Sequence, residues 1–356
     1  MDGATEGPGT LVATATKTPG SGPGPTWFER LFGFREGEWS ATQARFALEG
    51  TTLLSLANGR RFAAGRFTQP CLSELRAACA LLPPGRLRCR HEVVGDVLEL
   101  HGLAENAGAM FQVASQSNCL EFPGPSTVPE DGITGYAFDA TQGPACSLAA
   151  AAGTVVRNYL VDLRGSRGQR RDRQVDTLAG LSELLGGGLF EVRNGYTFAS
   201  GEQLDRLASR LRGEERESLL GAVRIGLQSE VGVTFARRWV EMDRDQRVSQ
   251  AFCTAVSCAY TDHPVDRWEP LATLVLDAAY EATLRAAALE RASGRGSGTV
   301  WLTLLGDGAF GNRKEWIAAA IQRALSACEE LDLDVRVAHF RALDPLVCSH
   351  VAQTRD

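Results

Sequence analysis

The chain has 356 residues, of which 44% are apolar, with 37 basic and 43 acidic side chains and a net charge of −6. That length and apolar share sustain a large buried core, as about two domains or one large domain with insertions. The charge balance excludes a global basic excess for nucleic acid. Nine cysteines with no C-x-x-C pair, beside five scattered histidines, argue against a disulfide scaffold and against a metal site.

The longest apolar runs, such as Leu148–Ala152 and Leu271–Ala279, fall short of the ~20 residues that span a bilayer. The N-terminus lacks the pattern of a signal or transit peptide. A reducing compartment, cytoplasmic or nuclear, is expected, with no membrane partner and no cofactor.

Residues 1–25 are rich in Gly, Pro, Thr and Ser and predict a disordered tail. Residues 26–90 read as an α+β preamble packed on the core: a helix at 27–33, short strands near 45–55 and 60–67, and a helix Leu72–Leu81 closed by Pro83-Pro84-Gly85. From residue 91 strands and helices alternate. Val93–Leu100 and Met110–Ser115 predict strands, Ala145–Tyr159 a helix with Pro144 in its first turn, and Val248–Cys258 a β-rich segment. Asp266–Arg291 and Lys314–Glu329 carry helical stripes, and Val300–Leu305 and Asp334–Phe340 predict strands. This alternation points to an α/β sheet covered on both faces. Residues 160–247, with the run Arg164–Arg173, the Gly186-Gly187-Gly188 break and a helical pair at 202–221, read as an insertion. Residues 346–356 read as a C-terminal tail.

The sharpest local signal is Leu304-Leu305-Gly306-Asp307-Gly308-Ala309-Phe310-Gly311-Asn312, between an apolar strand and a helix. Three glycines in six positions let backbone N–H groups approach an anion, and the helix N-terminus adds its dipole. No Gly-Lys-Ser/Thr closes the loop, so it is not a P-loop. A tight strand-to-helix turn is the bland alternative. The site is at the carboxyl end of a strand, where open α/β sheets bind ligands.

Five segments follow one another at 91–97, 110–118, 143–146, 248–257 with 278–284, and 306–312, and their order resembles that of the macrodomain family. His91-Glu-Val-Val-Gly95-Asp96-Val97 is similar to its opening glycine-aspartate element, and Met110–Asn118 to the strand ending in its asparagine. Gly143-Pro144-Ala145-Cys146 is similar to the loop before its first long helix. Val248–Ser257 with Ala278–Leu284 is placed like the next strand and helix, and Gly306–Asn312 like the loop around the distal phosphate and ribose. The resemblance covers roughly residues 91–345. It implies a three-layer α/β/α fold with a mixed sheet and a cleft for ADP-ribose or an ADP-ribosylated macromolecule. On it, Asp96 would bind the adenine amine, with Val97 beside it, and Asn118 would face the distal ribose, with Gln116 nearby. Gly143, Pro144, Ala145 and Cys146 would line one phosphate loop. Gly306, Asp307, Gly308, Ala309, Phe310, Gly311 and Asn312 would line the other.

Hydrolysis of an ADP-ribosyl bond needs a carboxyl group to handle protons and an anion cradle. The acidic loop after Asn118 offers Glu121, Glu130, Asp131 and Asp139. Glu121 is the first choice, and Glu130-Asp131-Gly132 is also good turn chemistry. The expected function is binding of ADP-ribose with hydrolysis of its linkage. The alternatives are a non-catalytic reader of ADP-ribosylation and a nucleic-acid binder using Arg164–Arg173, a run that also suits another polyanion.

Overall fold

The computed structural model describes residues 24–211, 213 and 215–353. Of the expected tail 1–25, only residues 24 and 25 fall among them.

Seven strands form the central sheet: β4 (Arg66–Thr68), β5 (Leu87–Val94), β6 (Met110–Ser115), β7 (Gly226–Gly232), β8 (Arg247–Thr254), β9 (Thr299–Leu302) and β10 (Leu333–Phe340). Strands β1 (Phe46–Glu49), β2 (Thr52–Ser55) and β3 (Arg61–Ala63) make a separate antiparallel sheet in the preamble. The central order is β4-β7-β8-β6-β9-β10-β5. The five strands from β8 to β5 run parallel, while β7 pairs antiparallel with β8, and β4 with β7. β6 and β8 are buried along nearly their whole length, as strands covered on both faces must be.

The helices form two layers. α1 (Trp27–Phe32) opens the preamble, and its rings pack edge to face with Phe34, Phe46 and Phe62. On one face of the sheet lie α2 (Leu72–Cys79), the long α8 (Glu269–Ala292) and α9 (Lys314–Ala327). The insertion helices α6 (Gly201–Leu211) and α7 (Arg216–Ala222) pack against α8. On the other lie α3 (Val97–Gly102), α4 (Gln142–Ala149) and α5 (Ala151–Val155). A mixed sheet between two helical layers is the architecture the resemblance implies.

Several expected boundaries move. The strand placed at Val93–Leu100 splits, because Asp96 caps a helix: β5 ends at Val94 and α3 begins at Val97. The helix expected at Ala145–Tyr159 begins at Gln142 and breaks at Ala150, where Thr234 of the insertion takes the Ala151 N–H at 3.0 Å. It resumes as α5 and ends in a π-helical turn, Val156–Leu160, whose side chains are all buried. The insertion is more than helical, since its β7 joins the central sheet and receives the preamble's β4. Pro345–His350 forms α10, which runs from the end of the expected domain into the expected C-terminal tail, capped by Asp344 and anchored by buried Val347.

Candidate functional site

The carboxyl ends of the parallel strands open into one cleft of about 1020 Å³. Its floor and rims come from the turns after β5, β6, β8, β9 and β10, with the N-terminus of α4. This is the edge at which a sheet of this kind takes ligands.

The expected glycine loop forms one wall. Gly306 and Gly311 both take left-handed backbone, and Asn312 reaches back to donate to the Val256 carbonyl at 2.8 Å. Buried Tyr280 of α8 pins the base of the loop. Its hydroxyl donates to the Thr303 carbonyl at 2.7 Å and accepts from the Leu305 N–H at 2.9 Å. Gly306, Asp307, Gly308, Ala309 and Phe310 line the cleft, and space is open around Gly308. Gly311 and Asn312 hold the loop from behind. Asp307 would oppose an anion, but Lys314 approaches it at 3.8 Å and binds Asp344 at 2.7 Å. Burial raises the Asp307 carboxyl, and Lys314 opposes that shift.

The opposite wall is the start of α4. Gln142 extends this helix onto β6, accepting from the Ala114 N–H and donating to the Gln112 carbonyl, both at 2.8 Å. Gly143 then lies against the Ala114 carbonyl and the Glu121 carboxyl, with no room for a side chain. Gly143, Pro144 and Ala145 line the cleft, whereas Cys146 does not. Its thiol is fully buried and pushed well above the ordinary value by burial.

Glu121 is the carboxyl group set deepest in the site. It is 3% exposed, lines the cleft, and has one carboxyl oxygen without a hydrogen-bond partner. Burial pushes it up to about 8, against the pull of the Ser115 hydroxyl and Arg157. Its backbone N–H donates to the Tyr136 hydroxyl at 2.8 Å. Gln116 lines the cleft and steadies the same loop through both polar groups of Phe122.

Other expected site residues are placed elsewhere. Asn118 does not reach the cleft: it is fully buried, accepts from the Leu120 N–H at 3.0 Å and donates to Gln174 at 2.9 Å. It shapes the turn that aims Glu121. Glu130 accepts the Arg171 N–H at 3.0 Å, and Asp131 accepts the Val128 N–H at 2.9 Å, both outside the cleft lining. They are turn residues. Asp139 does line the cleft, with its carboxyl taken up by Thr141. Asp96 and Val97 line the far end, where Asp96 caps α3 and faces Arg238 at 3.5 Å.

Sequence reasoning missed the side chains that distant segments deliver. The insertion contributes Tyr196 and Arg238 to the cleft. Tyr196, Tyr260 and Phe310 form a mutually packed aromatic wall, with ring centroids 4.8 to 5.8 Å apart. Phe340, largely exposed at the end of β10, stands at the mouth near Asp96. No periodicity marks these residues.

Among the described residues, the group that could hold a metal ion is His91, His339 and Cys348. Hydrogen bonding opposes that use. The Asp344 N–H donates to His339 Nδ1 at 3.0 Å, so His339 carries its proton on Nε2 and donates to His91 Nδ1 at 2.8 Å. A metal on His339 Nε2 would need that proton moved to a nitrogen already facing a donor.

No family model and no curated protein matches the chain. The chain is similar in structure to poly(ADP-ribose) glycohydrolases. Against the enzyme from Deinococcus radiodurans, solved in complex with ADP-ribose, the TM-score is 0.44 at 13% identity, over 80% of this chain and 92% of that chain. Against the enzyme from Thermomonospora curvata, solved bound to the inhibitor ADP-HPD, it is 0.39 at 14% identity, over 86% and 92%.

Proposed function

We propose that the cleft binds ADP-ribose or an ADP-ribosylated macromolecule and hydrolyses its ADP-ribosyl linkage. The observation that carries this reading is the convergence on one cavity of Asp96, Gly143, Gly308 and a buried Glu121 with one carboxyl oxygen lacking a partner. The glycine loop and the N-terminus of α4 supply backbone donors for a diphosphate. Asp96 and Phe340 stand where a base would lie, at the far end from the aromatic wall of Tyr196, Tyr260 and Phe310.

Glu121 is the proton carrier. In its protonated state it donates to the leaving group as the bond at the ribose anomeric carbon breaks and that group takes the bonding pair. Water adds to the same carbon, and its released proton returns to Glu121. Because Glu121 must be protonated to act as the acid, turnover falls as pH rises through about 8. Two measurements test this reading: calorimetric titration with ADP-ribose, and turnover of an ADP-ribosylated substrate by E121Q. Retained affinity with lost turnover supports it. A wild type that binds but never turns over leaves a reader of ADP-ribosylation.

The arginine run belongs to a separate partner. Arg170 is occupied, stacked over Trp39 at 3.9 Å and donating to Ser40. Arg171, Arg173 and Arg193 line a second cavity of about 410 Å³. Its three arginines outnumber Asp172 and Asp176 in the same lining, which favours a polyanion, RNA included, and predicts affinity that falls with salt and with Arg171/Arg173 substitution. The nine cysteines, none of them bonded to another, favour a reducing compartment, the cytoplasm or the nucleus. Among the described residues no helix is long and apolar enough to cross a membrane.

A further inference from the structure

Arg157 is the largest charged side chain sealed in the core, at 0% exposure on the π-helical turn Val156–Leu160. Such turns recur at functional sites because they redirect one side chain out of helical register. Here the guanidinium is directed toward the segments on either side of Glu121. Its Nε donates to the Cys119 carbonyl at 3.0 Å. Its Nη2 donates to the hydroxyls of Ser147 and Thr154, both at 3.1 Å. The ring of Phe252 lies 3.6 Å below it. All these partners are neutral, and no carboxylate lies within ion-pair distance of Arg157 among the described residues. A cation buried without a counter-ion is costly, so its position calls for a use.

The partners belong to the segments that enclose Glu121. Cys119, two residues before it, holds left-handed backbone with φ 59°. Ser147 lies on α4, whose Gly143 leaves no room for a side chain beside the Glu121 carboxyl. One Glu121 oxygen and Arg157 Nη1 are both buried and both without a hydrogen-bond partner. Arg157 is also the cation that acts on the Glu121 carboxyl.

We propose that Arg157 is a positioning residue for Glu121: it ties the 119–121 loop to α4 and supplies the positive charge that faces the carboxylate whenever Glu121 gives up its proton. The inference rests on the hydrolytic reading of the cleft. It explains how a carboxyl group with one oxygen lacking a donor ionises during turnover.

The test reads Glu121 directly, by carbon-13 NMR of the glutamate side-chain carboxyls in the full chain, with E121Q assigning the signal. In R157M the titration midpoint rises by about one pH unit or more, and the alkaline limb of turnover moves with it. In R157K, which keeps the charge, the midpoint moves by less than half as much, and part of the turnover is rescued. ADP-ribose affinity is unchanged in both. An unmoved midpoint in R157M, with only a lower melting temperature, makes Arg157 a packing residue and overturns the proposal. If R157M does not fold, the double variant S147A/T154A carries the test. It frees Nη2 without removing the charge and should lower kcat more than KM; unchanged kcat overturns the positioning role. Absence of ADP-ribose binding by the wild type is a different failure. It overturns the reading of the cleft, whereas the NMR midpoint still reports on Arg157 and Glu121.

Discussion

Glu121 is held protonated at neutral pH by the same burial that leaves its oxygen partnerless. The linkage to stability has a definite sign. Its value in the fold is raised, so the folded chain binds the proton more tightly than the unfolded chain does. Stability from this group is therefore full below the ordinary carboxyl value of 4.5 and is lost as pH rises to about 8. The variant E121Q has no such loss. Its melting temperature relative to wild type should climb across that window, by an amount equivalent to about 1–3 kcal/mol. A constant difference across the window contradicts the assignment. Gly143 gives a second prediction at this scale. A Cβ there meets the Ala114 carbonyl and the Glu121 carboxyl, so Gly143→Ala must push one of them aside. Expected are a loss of about 1–3 kcal/mol in chemical denaturation and a larger drop in turnover than in ADP-ribose affinity.

At the scale of elements, the glycine loop depends on α8 as much as on its own glycines. Tyr280→Phe orphans the buried Leu305 N–H and should cost about 1–3 kcal/mol. ADP-ribose binding should weaken in parallel, as calorimetry would show. The C-terminal helix α10 has its own dependence on pH. Its N-cap N–H and its C-cap carbonyl are bridged by the two imidazoles, from Asp344 through His339 and His91 to Val351, in bonds of 2.8 to 3.0 Å. His339 Nδ1 already accepts the Asp344 N–H, so His339 cannot take a second proton without breaking that link. Burial, and then the neighbouring His91, lower His339 from its ordinary 6.5. The unfolded state thus takes up the proton first, and the stability of α10 docking declines as pH falls through that value. Hydrogen exchange of the Leu346–Val351 amides should speed up on acidification, and His339→Gln should remove that dependence. Equal protection at both pH values in wild type would contradict the bridge.

Much of this was legible at the level of elements. The glycine loop is a local signal, set by backbone sterics over a few residues, whereas the Asp96 cap that splits the expected strand Val93–Leu100 and the start of α4 at Gln142 run against the expected boundaries. Glu121 stood out as an acid soon after a strand end. Asn118 misled for a physical reason: a short polar side chain after a strand serves a turn as readily as a ligand, and its partner Gln174 lies far along the chain. Tyr196, Arg238 and Arg157 reach the site through long-range packing that no local spacing encodes. The π-helical turn that aims Arg157 leaves no periodic trace, since the apolar run around it reads as continuous helix.

Over the whole molecule, preamble, insertion and core share one sheet. β4 of the preamble pairs with β7 of the insertion, and β5, at the boundary, pairs along its full length with β10. The preamble also grips the acidic loop: Glu36 accepts the Ile133 and Thr134 N–H groups and the Tyr159 hydroxyl. A chain beginning at residue 91 loses β4 and the first half of β5. It should not unfold cooperatively in calorimetry, whereas a sharp transition in that shortened chain would show the preamble to be dispensable. The most direct measurement of the central claim is calorimetric titration of the full chain with ADP-ribose, with Gly308→Glu placing a carboxylate in the open part of the loop as the control. The cleft described here predicts saturable one-to-one binding by wild type and none by Gly308→Glu. No heat of binding from wild type at millimolar ligand, or equal binding by the variant, would contradict it.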